Sequence, residues 1–498
     1  MLCRWTQCVL QQAEVVGVVE VAPSPSNRQG VVGAGRDTGS LTPDARALRR
    51  DLLLSGPIGG TLLRLAAPNV IAMFVQAAQS IAEAYFASLL GVSALAGLAL
   101  VFPLVMLSQM LSAGSIGGAI SSAVARALGA EDAERAGGLA LAAWIIAIAV
   151  AVCSAVAMHF LGPRIFAALG GTGDSVVAAV TYASVFFPGC ICLWLCHSTL
   201  SVIRGTGDMR VPSLLLLLVS TGSIPLSGAL ALGWGPFPAL GMAGLPAGLL
   251  TAYAIGAIAG IGFVVTGRSG LVLRGAWTRL SADLFLDILK VGALASVNGV
   301  LTVLTIVLMV GMVGRYGEAA LAGYGLGARL EFLMIPVVFG IGAAMTAMVG
   351  INIGAGQVAR ARRIAWTGAC AAAAIVGGIG IVLAVVPDLW LGIFLAADDS
   401  ATLAVGRAYF RTVAPLYAFF GFGLALYFAC QGAGRMLWPV VGSVSRIVLA
   451  VGGAALLSAT AGFGVRGVFI AIATGMLGYG LITGLAVWRS TWERRTPS

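Results

Sequence analysis

Charge is what this sequence has least of. Only 10% of its 498 residues are Asp, Glu, Lys or Arg, where a soluble domain carries about 25%, so water is not its main solvent. Histidine is scarcer still: His159 and His197 are the only two, and they stand isolated. No GxxxxGK[ST] spacing occurs, which excludes a P-loop ATPase. Gly350-x-Asn352-x-Gly354-x-Gly356 and Arg204-Gly-Thr-Gly-Asp208 neither match that spacing nor follow a strand, and they read as tight glycine turns at helix ends. The net charge of +10 comes without aromatic-basic alternation, so nucleic acid is not an expected partner. Of the eight cysteines (Cys3, Cys8, Cys153, Cys190, Cys192, Cys196, Cys370 and Cys430), six lie inside apolar runs, where Cys behaves as a small hydrophobe and implies no disulfide framework. Cys190-x-Cys192-x-x-x-Cys196-His197 has a metal-like look. Residues two apart point to nearly opposite helix faces, and a structural site wants four converging ligands, so no metal and no cofactor is expected.

What fills the space is apolar. The chain is 59% hydrophobic, and runs long enough to cross a bilayer, about 20 residues each, recur from Leu62 to Trp488. The fold class is therefore an all-α polytopic membrane protein. Helices are expected at 62–88, 95–122, 138–161, 177–203, 211–233 and 241–266, then at 288–313, 321–349, 364–387, 405–430, 437–459 and 466–488. Residues 1–40, with Pro-Ser-Pro-Ser and no helical period, are expected to be a disordered tail. Order should begin near Thr42-Pro43-Asp44, which suit a helix start, before a short basic helix over 45–54 carrying Arg46, Arg49 and Arg50. The long polar connection 267–287 carries Arg268, Arg274 and Arg279 and an amphipathic run opened by Ser281. It is expected to be a linker lying on the cytoplasmic membrane surface, between an N-terminal lobe over 41–266 and a C-terminal lobe over 288–488. A short cytoplasmic tail follows over 489–498.

The chain contains one stretch twice. GVSALAGLALVFPL at Gly91 returns as GEAALAGYGLGARL at Gly317, an offset of 226. Leu128-Gly129-Ala130 matches Ile353-Gly354-Ala355 at 225. Tyr182, Pro188, Arg204 and Pro212 match Tyr409, Pro415, Gln431 and Pro439, all at 227. Such register over more than a hundred positions means two related halves. Arginines sort the connections. One side holds Arg126, Arg135, Arg204, Arg210, the linker with Lys290, Arg360, Arg362, Arg363, Arg435, Arg489, Arg494 and Arg495; the other holds Arg164, Arg315, Arg407, Arg411 and Arg466. The rich side is expected in the cytoplasm with both termini. Six crossings per half is an even number, so the halves are parallel repeats about an axis near the membrane normal, flanking a central cleft.

Polar residues inside apolar helices are costly unless paired or functional. Glu83 is the clearest, sharing one face of the first helix with Asn69, Gln76 and Gln79 at spacings of 14, 7 and 4, with Ser80 near in sequence. Asn298, Thr302 and Thr305 make a stripe on the seventh, and Ser220, Ser223 and Ser227 a weaker one on the fifth. Arg329 and Glu331, in the eighth, read as a local pair or interface anchors, and Arg446 has no evident partner. Gly114-x-x-x-Gly118 and Gly340-x-Gly342-Ala343-Ala344 are small-residue packing faces. Phe332, Met334, Phe339, Met345, Tyr417, Phe420 and Tyr427 face lipid or neighbours, with some available to line an apolar pocket.

With these residues in view, the chain from about Leu62 to Trp488 resembles the multidrug and toxic compound extrusion (MATE) transporters. RLAAPNV, ALAGLALVFPL, ARALGAEDAERA, SVIRGTGDMRVP, LAGYGLGARLE, VGINIGAG and CQGAGRMLWP carry the likeness through their order and spacing. The resemblance implies two six-helix lobes and export of organic cations in exchange for protons or sodium. Glu83 falls where relatives often place a helix-1 acid. The acidic position some relatives have in helix 5 is Ser227 here, and helices 7 and 10 hold no carboxylate. The reading is a secondary active exporter of amphipathic, cationic small molecules, expected to be a monomer in a bacterial inner membrane. Glu83 is its coupling carboxylate, and Asn69, Gln76, Gln79, Ser80, Asn298, Thr302, Thr305, Arg329 and Glu331 line its cavity. Two rivals stay open. A flippase for lipid-linked oligosaccharide or a related anionic lipid would want several cations in the cavity, and the helices offer only Arg329 and Arg446. An intramembrane enzyme would want clustered carboxylates or histidines, and Asp398-Asp399 lies in a loop.

Overall fold

The computed structural model describes residues 50–273, 275–395, 399–460, 463–489 and 492. The expectations for the 1–40 tail, the Thr42-Pro43-Asp44 start, Cys3, Cys8, Arg46, Arg49, Arg274, Asp398, Arg494 and Arg495 lie outside the described residues.

Without water to satisfy its backbone, a chain crosses lipid only as helices or a closed barrel. Among the described residues there is no strand, and twelve helices are long and apolar enough to span: α1 (Ile58–Leu90), α2 (Val92–Gly129), α3 (Ala133–Ala168), α4 (Asp174–Gly205), α5 (Arg210–Leu232), α6 (Gly241–Val265), α7 (Ala282–Gly314), α8 (Glu318–Gly354), α9 (Val358–Val385), α10 (Ser400–Gly432), α11 (Leu437–Leu457) and α12 (Gly464–Arg489). A short helical turn over 50–55 precedes them.

The repeat is visible in the turns. α1 ends at Leu90 and α2 begins at Val92, so Gly91 alone reverses the chain, at φ 120°. A side chain there would clash with its own backbone. Gly317 takes a positive φ of 95° at the same place before α8, closing a turn of three residues with Arg315 and Tyr316. Neighbours repeat as well. α1 packs on α5, α2 and α3 on α4, and α4 and α5 on α6; likewise α7 packs on α11, α8 and α9 on α10, and α10 and α11 on α12.

The two halves meet through α1 and α2 of the first and α7 and α8 of the second. A Cβ on Gly340 would come within 3.0 Å of the Val70 backbone nitrogen, and one on Gly129 within 3.0 Å of Gly354 Cα. Gly129 and Gly354 are repeat equivalents that touch, so the rotation axis passes between them and both helices end on the same side. At this end Arg126 pairs with Asp287 at 2.6 Å, Arg135 reaches the same carboxylate at 3.3 Å, and Ser122 Oγ donates to the Gln431 carbonyl at 2.6 Å. Contacts between halves run through Val70 of α1, Leu111–Gly129 of α2, Ala295 and Gly299 of α7, and Phe339–Gly354 of α8. These are the linker-side parts of each helix. The halves therefore close on each other at the linker end.

Several helices extend past their expected ends, α2 to Gly129 and α3 to Ala168 among them, and one such shift changes the reading of a connection. The connection 267–287 was expected to stay outside the second set of helices until 288, but α7 begins at Ala282 and Ser281 stands at its N-cap position. The run that reads as a surface amphipath is the first two turns of α7. Its acids, Asp283 and Asp287, face Arg135 and Arg126 of the first half.

Candidate functional site

α1 carries its polar stripe into the first half. Glu83, half-buried, accepts a hydrogen bond of 2.6 Å from the hydroxyl of Tyr182 on α4. Tyr182 is fully buried and lies beside Phe186, ring centroids 5.9 Å apart, which fixes where its hydroxyl points. Two turns down, Gln76 Nε2 donates to the Tyr253 hydroxyl of α6 at 3.2 Å. Tyr253 meets the His197 ring edge-on at 5.3 Å, and His197 Nδ1 lies 2.8 Å from Ser112 Oγ. Ser112 sits in a π-helical turn, Met110–Ser115, that breaks the regular ladder of α2 seven residues beyond Pro103; such turns recur at functional places in helices. A line of polar groups therefore runs through α1, α6, α4 and α2. Asn69 is fully buried with neither amide atom partnered, and the Gln79 carbonyl oxygen is likewise unpartnered. Ser80 is half-buried. The serine stripe of α5 is partly spent on packing, because Ser227 Oγ donates to the Leu245 carbonyl at 2.9 Å.

The second half holds a different arrangement. Asn298 Oδ1 accepts from Ser443 of α11, while Thr302 and Thr305 are satisfied by their own helix at 2.9 and 2.6 Å. Glu331 of α8 accepts from the Tyr409 hydroxyl, and Tyr417 donates to Tyr409 at 3.5 Å. Arg329 and Glu331 do not pair. Arg329 is exposed and stands over the Phe394 ring at 5.9 Å. Arg446, half-buried, rests on the Phe420 and Tyr479 rings at 5.4 and 5.7 Å and makes no ion pair with Glu331 among the described residues. Of the large side chains read as facing lipid or neighbours, Phe332 is exposed, while Met334, Met345, Tyr417, Phe420 and Tyr427 are buried inside.

Sequence reasoning found both glutamates but not the tyrosines that hold them. The signal was present: Tyr182 and Tyr409 are repeat equivalents inside apolar helices. Cys190 Sγ faces the Ala151 carbonyl at 3.8 Å, and among the described residues no three His, Cys, Asp or Glu side chains gather as for a metal ion.

The profile of the MatE family matches residues 68–227 and 295–456, which is the same repeat, the two matches starting 227 residues apart. The chain belongs to the MatE family. Among its relatives, "Probable multidrug resistance protein NorM" of Deinococcus radiodurans is 28% identical over 86% of this chain and 95% of its own. The "FAD transporter" of Shewanella oneidensis is 27% identical over 62% of this chain and 69% of its own. A solved structure described as the outward-facing conformation of a multidrug resistance MATE family transporter superposes with a TM-score of 0.79 at 24% identity, covering 88% of this chain and 96% of that one; that likeness speaks for the fold. Members of the family are transporters, so this MATE protein is a transporter and the intramembrane-enzyme reading falls.

Proposed function

We propose that this transporter exports amphipathic, cationic organic compounds in exchange for protons, with Glu83 as the group that carries the exchange. The observation that supports it is the pairing of Glu83 with Tyr182 alone. A carboxylate inside a membrane span is costly unless it has a role or an opposite charge, and a neutral phenol supplies no charge. Glu83 can therefore be neutralised by a proton or by a cationic cargo, and competition between the two couples their fluxes. Sodium wants several oxygens; among the described residues the Tyr182 hydroxyl is the one group that hydrogen-bonds Glu83, which favours the proton. With the arginine-rich end in the cytoplasm of a bacterial cell, both termini lie inside and the closed end of the cleft is the inner one; a proton enters from the outer side to displace cargo. The unit of transport is taken as the monomer.

A second reading rests on the relative named as an FAD transporter. An anionic cargo, whether a flavin nucleotide or a lipid headgroup, would look to Arg446 and the exposed Arg329. Both are decided by efflux from proteoliposomes containing the purified chain. Export of ethidium driven by an imposed pH gradient, and not by a sodium gradient, is the expected result. FAD export under the same gradient without ethidium export would overturn the cationic reading.

A further inference from the structure

The short turn over 50–55 belongs to no spanning helix, yet it lies across both halves at their closed end. Leu53 is only 2% exposed. It rests against Gly207 in the α4–α5 turn of the first half, where a Cβ would meet Leu53 Cδ1 and would lie 3.8 Å from Ile351 Cδ1 of α8 in the second half. The Leu53 carbonyl accepts from Nδ2 of the fully buried Asn352 of α8 at 3.1 Å, and the Gly56 carbonyl accepts from Arg360 of α9. Arg50 reaches back to the first half, to the Gly129 carbonyl at 3.4 Å and to the Glu131 carboxylate at 2.7 Å. One short turn is thus tied to α2 and the α4–α5 turn on one side of the seam and to α8 and α9 on the other.

Two features set this turn apart from ordinary packing. Glu131 has φ 63°, and among the described residues it is the one non-glycine with positive φ. Its repeat equivalent, at the offset of 225, is Gly356 with φ 77°. A glutamate is strained in that region where a glycine is not. An exposed ion pair adds little to folding stability, too little to outweigh that strain by itself, and strained residues persist where they serve a clamp or a switch. The second feature is the break at Gly56 and Pro57, where the helix stops before α1 begins. Proline disfavours helical backbone in the residue before it, so the turn can leave the seam while α1 stays. The arrangement has a counterpart: Arg135, the repeat equivalent of Arg360, holds Asp283 and Asp287 at the start of α7. Each half grips the segment that leads into the other.

We propose that residues 50–55 are a plug for the linker end. Leu53 wedged at the seam, held there by the Arg50–Glu131 pair and by Asn352, keeps the halves shut, and the turn leaves before the transporter opens to that side. A transporter that loads on one side and releases on the other has to open each end in turn. The inference rests on the transporter fold and on neither the cargo nor the coupling ion, so it stands or falls apart from the role given to Glu83.

The test follows the distance between spin labels on Arg210→Cys and Leu437→Cys, exposed repeat equivalents at the linker ends of α5 and α11, in the full chain with its eight native cysteines replaced. Most of the parental population should show the short, closed distance. Glu131→Gly removes the pair and relieves the strain together, so a glutamate that served folding alone would leave the distribution unchanged. The longer-distance population should instead rise by about two- to fivefold, the range of an exposed ion pair, with no fall in the unfolding midpoint. Arg50→Gln should raise it equally and the double variant no further, while Leu53→Asp should raise it more. An unchanged distribution in Glu131→Gly, or additive effects of Arg50→Gln and Glu131→Gly, would overturn the proposal. Should Leu53→Asp not fold, Leu53→Ala is expected to shift the population the same way, and an unchanged distribution there counts against the plug.

Discussion

Each half of this transporter puts a tyrosine hydroxyl on a glutamate, and the two do it differently. Tyr182 and Tyr409 are repeat equivalents on α4 and α10, but Glu83 comes from α1 whereas Glu331 comes from α8, the equivalent of α2. Among the described residues the first carboxylate has a single phenol. The second has a phenol that itself accepts from Tyr417. A hydroxyl that accepts a hydrogen bond becomes a stronger donor, so the longer chain holds the ionised form of Glu331 more firmly, and Glu83 gives up less when it takes a proton. The same tyrosine thus serves a switch in one half and a fixed contact in the other.

The largest expected effect follows from that contrast. Glu83→Gln keeps the shape and fixes the neutral state, so it should fold and insert while lowering pH-driven ethidium efflux by at least about tenfold, equivalent to roughly 1.4 kcal/mol of lost coupling. Glu331→Gln should leave efflux within a few-fold of the parent. If the two variants lose transport equally, or if Glu331→Gln is the worse, the division of labour between the halves is wrong.

A smaller effect is expected in stability, and it should fall on the second half. Arg446→Gln removes the contacts of the guanidinium with the Phe420 and Tyr479 rings, worth about 0.5–2 kcal/mol. The unfolding midpoint in detergent should fall accordingly, while Phe420→Leu in the Arg446→Gln background should cost less than in the parent. Additive losses would mean that Arg446 and Phe420 do not interact.

The fold was legible because lipid leaves the backbone so few options. Apolar length and the offset of 225–227 yield twelve helices in two parallel sets without any contact being known. The start of α7 was not legible, since Asp283 and Asp287 look like linker charges until Arg126 and Arg135 of the other half are seen to meet them. In the site, a lone glutamate in an apolar helix announces itself by cost. Spacings of 14, 7 and 4 put Asn69, Gln76 and Gln79 on its face, and Gln76 does turn inward with Glu83, towards α6. Which residue answers across the gap is invisible to periodicity, because partners on other helices have no fixed spacing. Hence Arg329 was read beside Glu331, two residues away, although residues two apart on a helix point apart. The observed partner of Glu331, the Tyr409 hydroxyl, is 78 residues further on, on α10.

The smallest expected effect sharpens the same comparison. At the offset of 227, Cys190 stands where the second half has Tyr417. Tyr417 reaches Tyr409 and makes the second-half carboxylate part of a chain of hydroxyls, whereas the Cys190 thiol turns to the Ala151 carbonyl and leaves Tyr182 to Glu83 alone. Replacing Cys190, Cys192 and Cys196 together with Ala removes three small apolar volumes and no partner of Glu83. The cost should be confined to packing, about 1 kcal/mol per buried site lost, with ethidium efflux within about twofold of the parent and no metal released on purification. Tyr417→Phe removes a neutral hydrogen bond worth about 1 kcal/mol and should lower the unfolding midpoint while sparing efflux. A triple variant that folds but has lost transport would show that the thiols reach the Glu83 site after all, and the first half would no longer be the simpler of the two.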